Sequence, residues 1–374
     1  MGKIYTALGL MSGTSMDGVD ASIIQTDGKH EYKAILDKYF EYPKTIYNNL
    51  TTLRDKIKSS KDLKKHLKQI KSVEKEITIF HAESVNKILK KTTANVDFIG
   101  FHGQTIFHNA EEKITKQLGN GKLLSKLTKK KVVYDFRQND LKNSGQGAPL
   151  TPIFHKLLVK KLNFKSATFL NIGGIINETS IFDDGSFQAH DLGPGMCLID
   201  KWIRTNSKKR YDDKGNIAKF GKINQKIFDN AVKKWMLATN TVSRKSLDIK
   251  EMELYFSNDS SLEGLTLEDG AATLTAFTVE TLAEILPGIL RNEPWYHRYI
   301  LCGGGRKNNF LVESIDRFVG ALELIDDCGA DGDFIESQAF AYLAIRSFLK
   351  LPISFPETTG CKKPCTGGVI VKNF

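Results

Sequence analysis

The first stretch of the sequence equipped for chemistry is a loop near its start, GLMSGTSMDG at residues 9–18. Its glycines allow a sharp turn, so that backbone amides and hydroxyl side chains can face a phosphate. Asp17 and Asp20 would repel a phosphate directly, so we expect them to hold Mg²⁺ or its water ligands. The lysine of a Walker P-loop is missing, and the alternating β-branched residues after Gly18 predict a strand rather than a helix. The sequence therefore predicts a phosphate-binding hairpin, with a plain Gly-Ser turn as the alternative.

A second polar cluster closes an apolar strand segment, DFIGFHGQTIFH at residues 97–108. Ligands often bind where the strands of an α/β fold end, and His102, Gln104 and Thr105 lie at such a position. A single histidine could belong to the core. Together, these side chains have more hydrogen-bonding capacity than a core requires, which favours a ligand site.

Arg137 follows the next apolar run, in YDFRQND, and a loop rich in Asn, Gly and Ser comes after it. A guanidinium group can bind a ligand carboxylate through two parallel hydrogen bonds. A structural salt bridge with Asp135 or Asp140 is the alternative, and the sequence leaves both interpretations open.

The middle of the chain repeats the pattern of two strands around glycines, in FLNIGGIINETSIF at residues 169–182. Gly173 and Gly174 would form the turn of this second hairpin. Asp191 then precedes a Gly-Pro-Gly turn and a helix that starts near Cys197. A carboxylate at a strand end is well placed to act as a general base. A helix cap is the alternative, but a cap would lie closer to the helix.

Two further segments in the last third could contact a ligand. In YILCGGGRKNNF a strand leads through Gly303, Gly304 and Gly305 toward a helix, an arrangement in which backbone can approach a nucleotide. Glu336 begins a long apolar helix, where it could act in a site or serve only as an acid favoured by the helix dipole.

Composition limits the possible classes of function. The chain has 374 residues, 26% of them charged, and no apolar run long enough to cross a membrane, so we expect a two-domain cytoplasmic protein without a membrane partner. The net charge of +11 comes largely from lysine runs on predicted solvated faces. Motifs that read bases are lacking, so we expect no nucleic-acid partner. The five scattered cysteines predict no disulfide framework.

Together the motifs resemble the anhydro-N-acetylmuramic acid kinases, and the likeness runs from residue 5 to about residue 368. The segments that carry it are GLMSGTSMDGVDA, FHGQT, DFRQND, GQGAPLTPIFH, NIGGIINET, HDLGPG, CGGGRKN and IESQAFAYLA. The resemblance implies a two-lobed, ribonuclease H-like α/β ATPase fold of the actin, hexokinase and Hsp70 type with a central cleft. We expect one lobe at residues 1–136 plus 339–374 and the other at 137–338.

The implied reaction belongs to cell-wall peptidoglycan recycling. ATP, water and 1,6-anhydro-N-acetylmuramic acid would give ADP and N-acetylmuramic acid 6-phosphate, with Mg²⁺ accompanying ATP. The resemblance also implies a homodimer. The alternatives are a kinase of the same fold that acts on another sugar, and a degenerate sensor of a sugar or nucleotide.

The resemblance assigns roles to residues. Asp191 is the catalytic base, Glu336 is catalytic and lies at the sugar site, and Asp17 lies near the metal. The sugar site would also include His102, Gln104, Thr105 and Arg137. The ATP site would comprise Gly13, Thr14, Ser15, Asp17, Gly18, Asp20, Gly173, Gly174, Gly303, Gly304, Gly305 and Asn308.

This chain departs from the family pattern at a few positions. The usual Asp-Thr-Gly-Pro-Gly-Asn is DLGPGM here, so Leu192 and Met196 replace a hydroxyl and an amide. The stretch 243–256 is altered as well. These changes predict that sugar preference is the property most open to variation.

Overall fold

The structure, a computed structural model, describes residues 2–13, 15–240, 252–289 and 296–374. In chain order the strands are β1 (Tyr5–Ser12), β2 (Gly18–Thr26), β3 (Tyr32–Glu41), β4 (Phe98–Asn109), β5 (Ile114–Leu118), β6 (Lys131–Tyr134), β7 (Ala167–Ile172), β8 (Ile175–Ile181), β9 (Phe187–Pro194), β10 (Arg298–Cys302), β11 (Leu322–Leu324) and β12 (Val369–Val371).

The helices alternate with these strands along much of the chain. They are α1 (Lys44–Lys56), α2 (Ser60–Lys65), α3 (Leu67–Leu89), α4 (Gly121–Thr128), α5 (Gln138–Lys142), α6 (Pro152–Lys161), α7 (Cys197–Asn206), α8 (Gln225–Asn240), α9 (Leu267–Ile289), α10 (Asn309–Val319), α11 (Ile335–Phe348) and α12 (Pro356–Thr359). Within the described ranges, none is both long and apolar enough to span a membrane.

The chain divides into two compact units. Unit 1 comprises Met1–Lys161 and Asp333–Phe374, and unit 2 comprises Leu162–Gly332. The lobes expected from the sequence, 1–136 plus 339–374 and 137–338, follow the same order of segments, and their boundaries stay a prediction.

Each unit is built on one sheet, and the two sheets share a strand arrangement. In unit 1 the order is β12-β6-β4-β1-β2-β3, with β5 paired to β4. Strands β1, β2 and β3 are antiparallel neighbours, while β4 and β6 run parallel to β1. In unit 2 the order is β11-β10-β7-β8-β9, again with three antiparallel strands followed by two parallel ones. The predicted α/β fold of ribonuclease H-like type is confirmed, as are the two glycine hairpins.

Helix α11 lies directly on the sheet of unit 1, and two glycines make this approach possible. A Cβ atom at Gly9 would collide with the carbonyl oxygen of Ser337, and one at Gly100 would collide with that of Phe340. Nearly all of α11 is buried, as its apolar sequence predicts. This close packing fixes the start of α11, where Glu336 lies, against the strands that carry the first hairpin and the FHGQT cluster.

Candidate active-site residues

The β1–β2 loop is held by buried hydrogen bonds from β4. The Oγ atom of Ser12 lies 2.7 Å from Oε1 of Gln104 and 2.8 Å from the carbonyl oxygen of Gly18. Nε2 of Gln104 donates to the carbonyl oxygen of Gly13 at 2.9 Å. Gln104 is fully buried, and both ends of its amide bind the loop. It therefore acts as a brace for the loop, and a direct contact with a sugar would require these bonds to break.

The glycines of this loop serve different purposes. A Cβ atom at Gly13 would meet only Oγ of Ser15, at 3.9 Å, so a ligand can approach this backbone. A Cβ atom at Gly18 would lie 2.5 Å from both the Tyr39 ring and the carbonyl oxygen of Phe40, so that glycine is required by packing. Thr14, which the resemblance assigns to the ATP site, lies outside the described residues.

The same loop offers oxygen ligands suited to Mg²⁺. Oδ1 of Asp17 accepts a hydrogen bond from Oγ of Ser15 at 2.6 Å, and Asp17 and Asp20 are both half-buried. Mg²⁺ prefers oxygen donors, often one or two carboxylates together with phosphate and water. The donor set of the loop therefore fits Mg²⁺.

Arg137 is anchored within unit 1 by His102 and Gly147. Nε2 of His102 accepts from Nε of Arg137 at 3.2 Å and from Nη2 at 2.9 Å. Nη1 of Arg137 donates to the carbonyl oxygen of Gly147 at 2.7 Å. Three of the five N–H donors of the guanidinium group are thus in use, which leaves two for a ligand among the described contacts. The structural salt bridge with Asp135 or Asp140 is not what holds Arg137.

His102 is neutral in this arrangement. Its Nδ1 lies 2.8 Å from the carbonyl oxygen of Gly103, so that nitrogen carries the proton and Nε2 is free to accept from Arg137. Burial and the adjacent charge of Arg137 hold the pKa of His102 well below its usual range. The imidazole therefore orients Arg137 and is poorly suited to proton transfer near neutral pH.

Glu336 and Arg137 experience each other's charge. Burial raises the pKa of Glu336 above its usual value, and the positive charge of Arg137 opposes that rise. Burial lowers the pKa of Arg137 to about 10, while the negative charges of Glu336 and Asp140 act to raise it.

Thr105 lies on β4, the strand that also carries His102. It is half-buried, and its Oγ1 accepts a hydrogen bond from Nε2 of Gln117 at 3.1 Å. Unit 1 thus brings His102, Arg137 and Glu336 together.

In unit 2 the second hairpin is tied to the start of α7. The carbonyl oxygen of Gly173 accepts from the amide of Met196 at 2.9 Å, and that of Gly174 accepts from the amides of Gly195 and Cys197. An added Cβ atom at Gly173 would meet only one atom, at 3.6 Å, so the turn has room for a ligand. The hairpin is therefore fixed from one side and approachable at Gly173.

Asp191 lies near the end of β9, beside a break in strand register. Ile176 pairs with Gly193 while Asn177 pairs with Asp191, so Leu192 is an extra residue in β9. Such a bulge bends a strand and redirects side chains, and it often occurs beside active sites. Asp191 is half-buried. Its position at a bulged strand end suits a general base.

The same bulge explains the unusual Leu192. Its side chain is fully buried in the hydrophobic core of unit 2, and Met196 packs against that core. Both departures from the family pattern thus pack in or against the core, and the expected effect on sugar preference stays a prediction. The other altered stretch, 243–256, lies outside the described residues up to residue 251.

The triple-glycine loop has one tight wall and one open face. A Cβ atom at Gly303 would collide with Asn171, and one at Gly305 would collide with Ile172, whereas Gly304 has no atom within 4 Å of that position. Asn308 caps α10 by accepting from the amide of Leu311 at 3.0 Å. Its Nδ2 is buried and has no hydrogen-bond partner among the described residues. An unpaired buried donor of this kind is a candidate ligand contact.

Sequence reasoning did not assign Arg306 a role and considered Asp140 only as a salt-bridge partner of Arg137, yet both residues position these groups. Arg306 is buried, forms an ion pair with Asp326 at 2.6 Å and donates to the carbonyl oxygen of Gly303 at 3.1 Å, so it holds the triple-glycine loop. Asp140 accepts from the amide of Gly147 at 2.6 Å, and Gly147 in turn accepts from Arg137. The arginine within CGGGRKN was a visible signal for the first, but no local pattern identifies the second.

Comparison with known proteins identifies the family. The family model for anhydro-N-acetylmuramic acid kinase matches residues 5–373. The anhydro-N-acetylmuramic acid kinase of Pelagibacter ubique (strain HTCC1062) is 52% identical over 381 residues, covering 100% of both chains. That of Agrobacterium fabrum (strain C58 / ATCC 33970) is 36% identical over 385 residues, also covering 100% of both. Among solved structures, a ROK family glucokinase from Streptomyces griseus in complex with glucose and AMPPNP is 11% identical, with a TM-score of 0.40. The match covers 91% of this chain and 99% of the glucokinase, and the likeness is too slight to bear on function. The chain belongs to the anhydro-N-acetylmuramic acid kinase family, whose members are phosphotransferases.

Proposed function

We propose that this chain is an ATP-dependent kinase that opens 1,6-anhydro-N-acetylmuramic acid and phosphorylates its O6. ATP, the anhydro sugar and water would give ADP and N-acetylmuramic acid 6-phosphate, a step of peptidoglycan recycling. The observation that carries the proposal is the 52% identity, over the whole chain, to a protein named for this activity.

Asp191 is the general base in this proposal. It takes a proton from water, and the water oxygen forms a bond with the anomeric carbon C1. The bond between C1 and O6 breaks, and O6 accepts the γ-phosphoryl group as ADP leaves. The first half resembles the step in which the base of an inverting glycosidase activates water. The position of Asp191 beside the β9 bulge supports this role.

Arg137 binds the lactyl carboxylate of the sugar in this proposal. Two of its N–H donors are left over after His102 and Gly147 are bound, and a carboxylate accepts two such bonds in parallel. Glu336, whose carboxyl group experiences the charge of Arg137, is proposed to act at the same sugar site, as the family resemblance implies. Thr105 would contribute a further hydroxyl.

The glycine hairpins and the triple-glycine loop bind ATP in this proposal. Approachable backbone at Gly13, Gly173 and Gly304 supports contact with the nucleotide, and Nδ2 of Asn308 would donate to it. Asp17, with Asp20 nearby, would hold Mg²⁺, which when bound neutralises phosphate charge during transfer. A homodimer and a cytoplasmic location stay predictions, which size-exclusion chromatography and cell fractionation can test.

The test is ADP release with Mg-ATP and either the anhydro sugar or plain N-acetylmuramic acid. The proposal predicts turnover of the anhydro sugar, with a product phosphorylated at O6. Asp191→Asn should abolish this turnover. Asp184→Asn is the matched control, because Asp184 lies in an exposed turn of the same unit, and it should behave as wild type. Turnover of another sugar in preference to the anhydro sugar would contradict the proposal.

A further inference from the structure

Three side chains in unit 1, none of them proposed to contact a substrate, form a compact buried cluster. Asp140 lies in α5, and Cys361 and Cys365 flank the short segment after α12. One potential ligand atom from each lies within 4.8 Å of those of the other two, and all three residues are buried. This group is called the Asp140–Cys361–Cys365 cluster below.

The carboxylate of Asp140 has hydrogen bonds but no adjacent cation. It accepts from the amide of Gly147 at 2.6 Å and from Oγ1 of Thr359 at 2.7 Å. Among the described residues no lysine or arginine nitrogen lies within 4.0 Å of it, and Arg137 acts on it only through longer-range charge. Asp140 is 1% exposed. Buried carboxylates are usually paired with a positive group or coordinate a metal.

The two cysteine thiols and the carboxylate of Asp140 are ligand types that bind Zn²⁺ in proteins. Thiolate sulfur binds Zn²⁺ at about 2.3 Å and carboxylate oxygen binds it at about 2.0–2.2 Å, so a tetrahedral site separates its S and O ligands by about 3.5 Å. Sγ of Cys365 lies 3.9 Å from Oδ1 of Asp140, a separation that a small side-chain movement would close. Oγ of Ser354 lies 3.1 Å from Sγ of Cys365, so its hydroxyl group is a candidate fourth ligand.

We propose that the Asp140–Cys361–Cys365 cluster is a binding site for Zn²⁺. Both thiols lose their protons to solvent when the ion binds, and the ion neutralises most of the resulting negative charge. A fourth ligand comes from solvent or from Ser354. The ion would join the segment after α12 to the loop at residues 140–147. Nothing in this proposal depends on the reaction proposed above.

The burial of the thiols agrees with a role that appears only when a metal is present. Cys361 is 1% exposed. Its S–H donates to the carbonyl oxygen of Lys363 at 3.3 Å. Neutral buried thiols resist oxidation, yet a metal ion can deprotonate them.

The experiment uses Co²⁺ as a spectroscopic probe of the full-length, reduced protein. The proposal predicts one Co²⁺ per chain, with thiolate-to-cobalt charge-transfer absorption that one equivalent of Zn²⁺ removes. The double variant Cys361→Ser/Cys365→Ser should lose this absorption, whereas Cys197→Ser/Cys328→Ser, which changes the two partly exposed cysteines of unit 2, should keep it.

A second measurement uses only the wild-type protein, so it does not require any cysteine variant to fold. Under conditions in which a thiol reagent modifies all five cysteines of the metal-free protein, Zn²⁺ should slow the modification of two of them, and mass spectrometry should identify these as Cys361 and Cys365. Absence of thiolate absorption in the wild type, equal absorption in the Cys361→Ser/Cys365→Ser protein, or isolation of the pair as a disulfide that binds no Zn²⁺ would each overturn the proposal.

Discussion

His102→Leu removes the acceptor that two N–H groups of Arg137 share. Nε2 of His102 lies 3.2 Å from Nε and 2.9 Å from Nη2 of the guanidinium group, and His102 is only 5% exposed. Leucine fills a similar volume but offers no acceptor. Arg137 would keep its bond to Gly147 and could rotate about it, so the two donors proposed to bind the sugar carboxylate would lose their fixed direction.

A hydrogen bond to a charged group contributes about 1.5–3 kcal/mol. Since about 1.4 kcal/mol corresponds to a tenfold change, the KM for the anhydro sugar should rise about 10- to 100-fold in His102→Leu. The KM for ATP should stay close to that of wild type, because in the described part of the chain the His102 side chain hydrogen-bonds to Gly103 and Arg137 and to none of the residues proposed to bind ATP. Steady-state ADP release at varied sugar and at varied ATP measures both constants.

The pH dependence separates orientation from proton transfer. Because the folded-state pKa of His102 is lowered, its contribution to stability is fully present above its unfolded-state pKa, about 6.5, and is lost as pH falls toward the folded-state value. Activity of the wild type should therefore show no titration of His102 between pH 6.5 and pH 8.

His81→Leu is the matched control, since His81 is a buried histidine of unit 1 that bonds to the carbonyl oxygen of Ile77 instead of to Arg137. It should leave the KM for the sugar unchanged. A folded His102→Leu protein whose KM for the sugar changes by less than about twofold would refute the reasoning.

Three further predictions concern Asp200, the triple-glycine loop and Asp17. Burial raises the pKa of Asp200 to about 7, so keeping its carboxylate charged in the folded state lowers stability as pH rises from about 4 to 7. Asp200→Asn should therefore raise the free energy of unfolding at pH 8 by about 1–3 kcal/mol and leave it unchanged near pH 3. Urea denaturation at the two pH values measures both. Gly304→Ala has space for its methyl group and should raise the KM for ATP without lowering Tm, whereas Gly305→Ala collides with Ile172 and should lower Tm; equal effects of the two on Tm would contradict this contrast. Asp17→Asn should raise the Mg²⁺ concentration needed for half-maximal activity by about tenfold, while an unchanged Mg²⁺ dependence would remove Asp17 from the metal site.

Local patterns in the sequence were sufficient to predict the two hairpins and the strand before the triple glycines. The turn residues and the β-branched runs around Gly13 and Gly173 specify strand, turn and strand within about twenty positions of each other. Asp191 accordingly lies near the end of its strand, as its segment predicts, while its role stays a prediction.

Contacts between distant segments could not be predicted in the same way. Asp140 bonds to Thr359, which is 219 positions away, and no local pattern encodes that pair. The burial of Leu192 depends on one extra residue in β9, and a single bulge cannot be distinguished from an uninterrupted strand in the sequence. The neutral state of His102 follows from its burial and from the guanidinium group 35 positions away, and neither is encoded locally. Long-range packing thus decided which predicted residues are braces and which remain available to a ligand.

The most direct test of the proposed reaction is the fate of the water oxygen. Wild-type protein, Mg-ATP and 1,6-anhydro-N-acetylmuramic acid would react briefly in ¹⁸O-labelled water, and mass spectrometry of the product would locate the label; unlabelled product held in the same water for the same time corrects for exchange. The account predicts one ¹⁸O at C1, none in the phosphate, and no labelled product with Asp191→Asn. Label in the phosphate, or labelled product formed at the wild-type rate by Asp191→Asn, would contradict it.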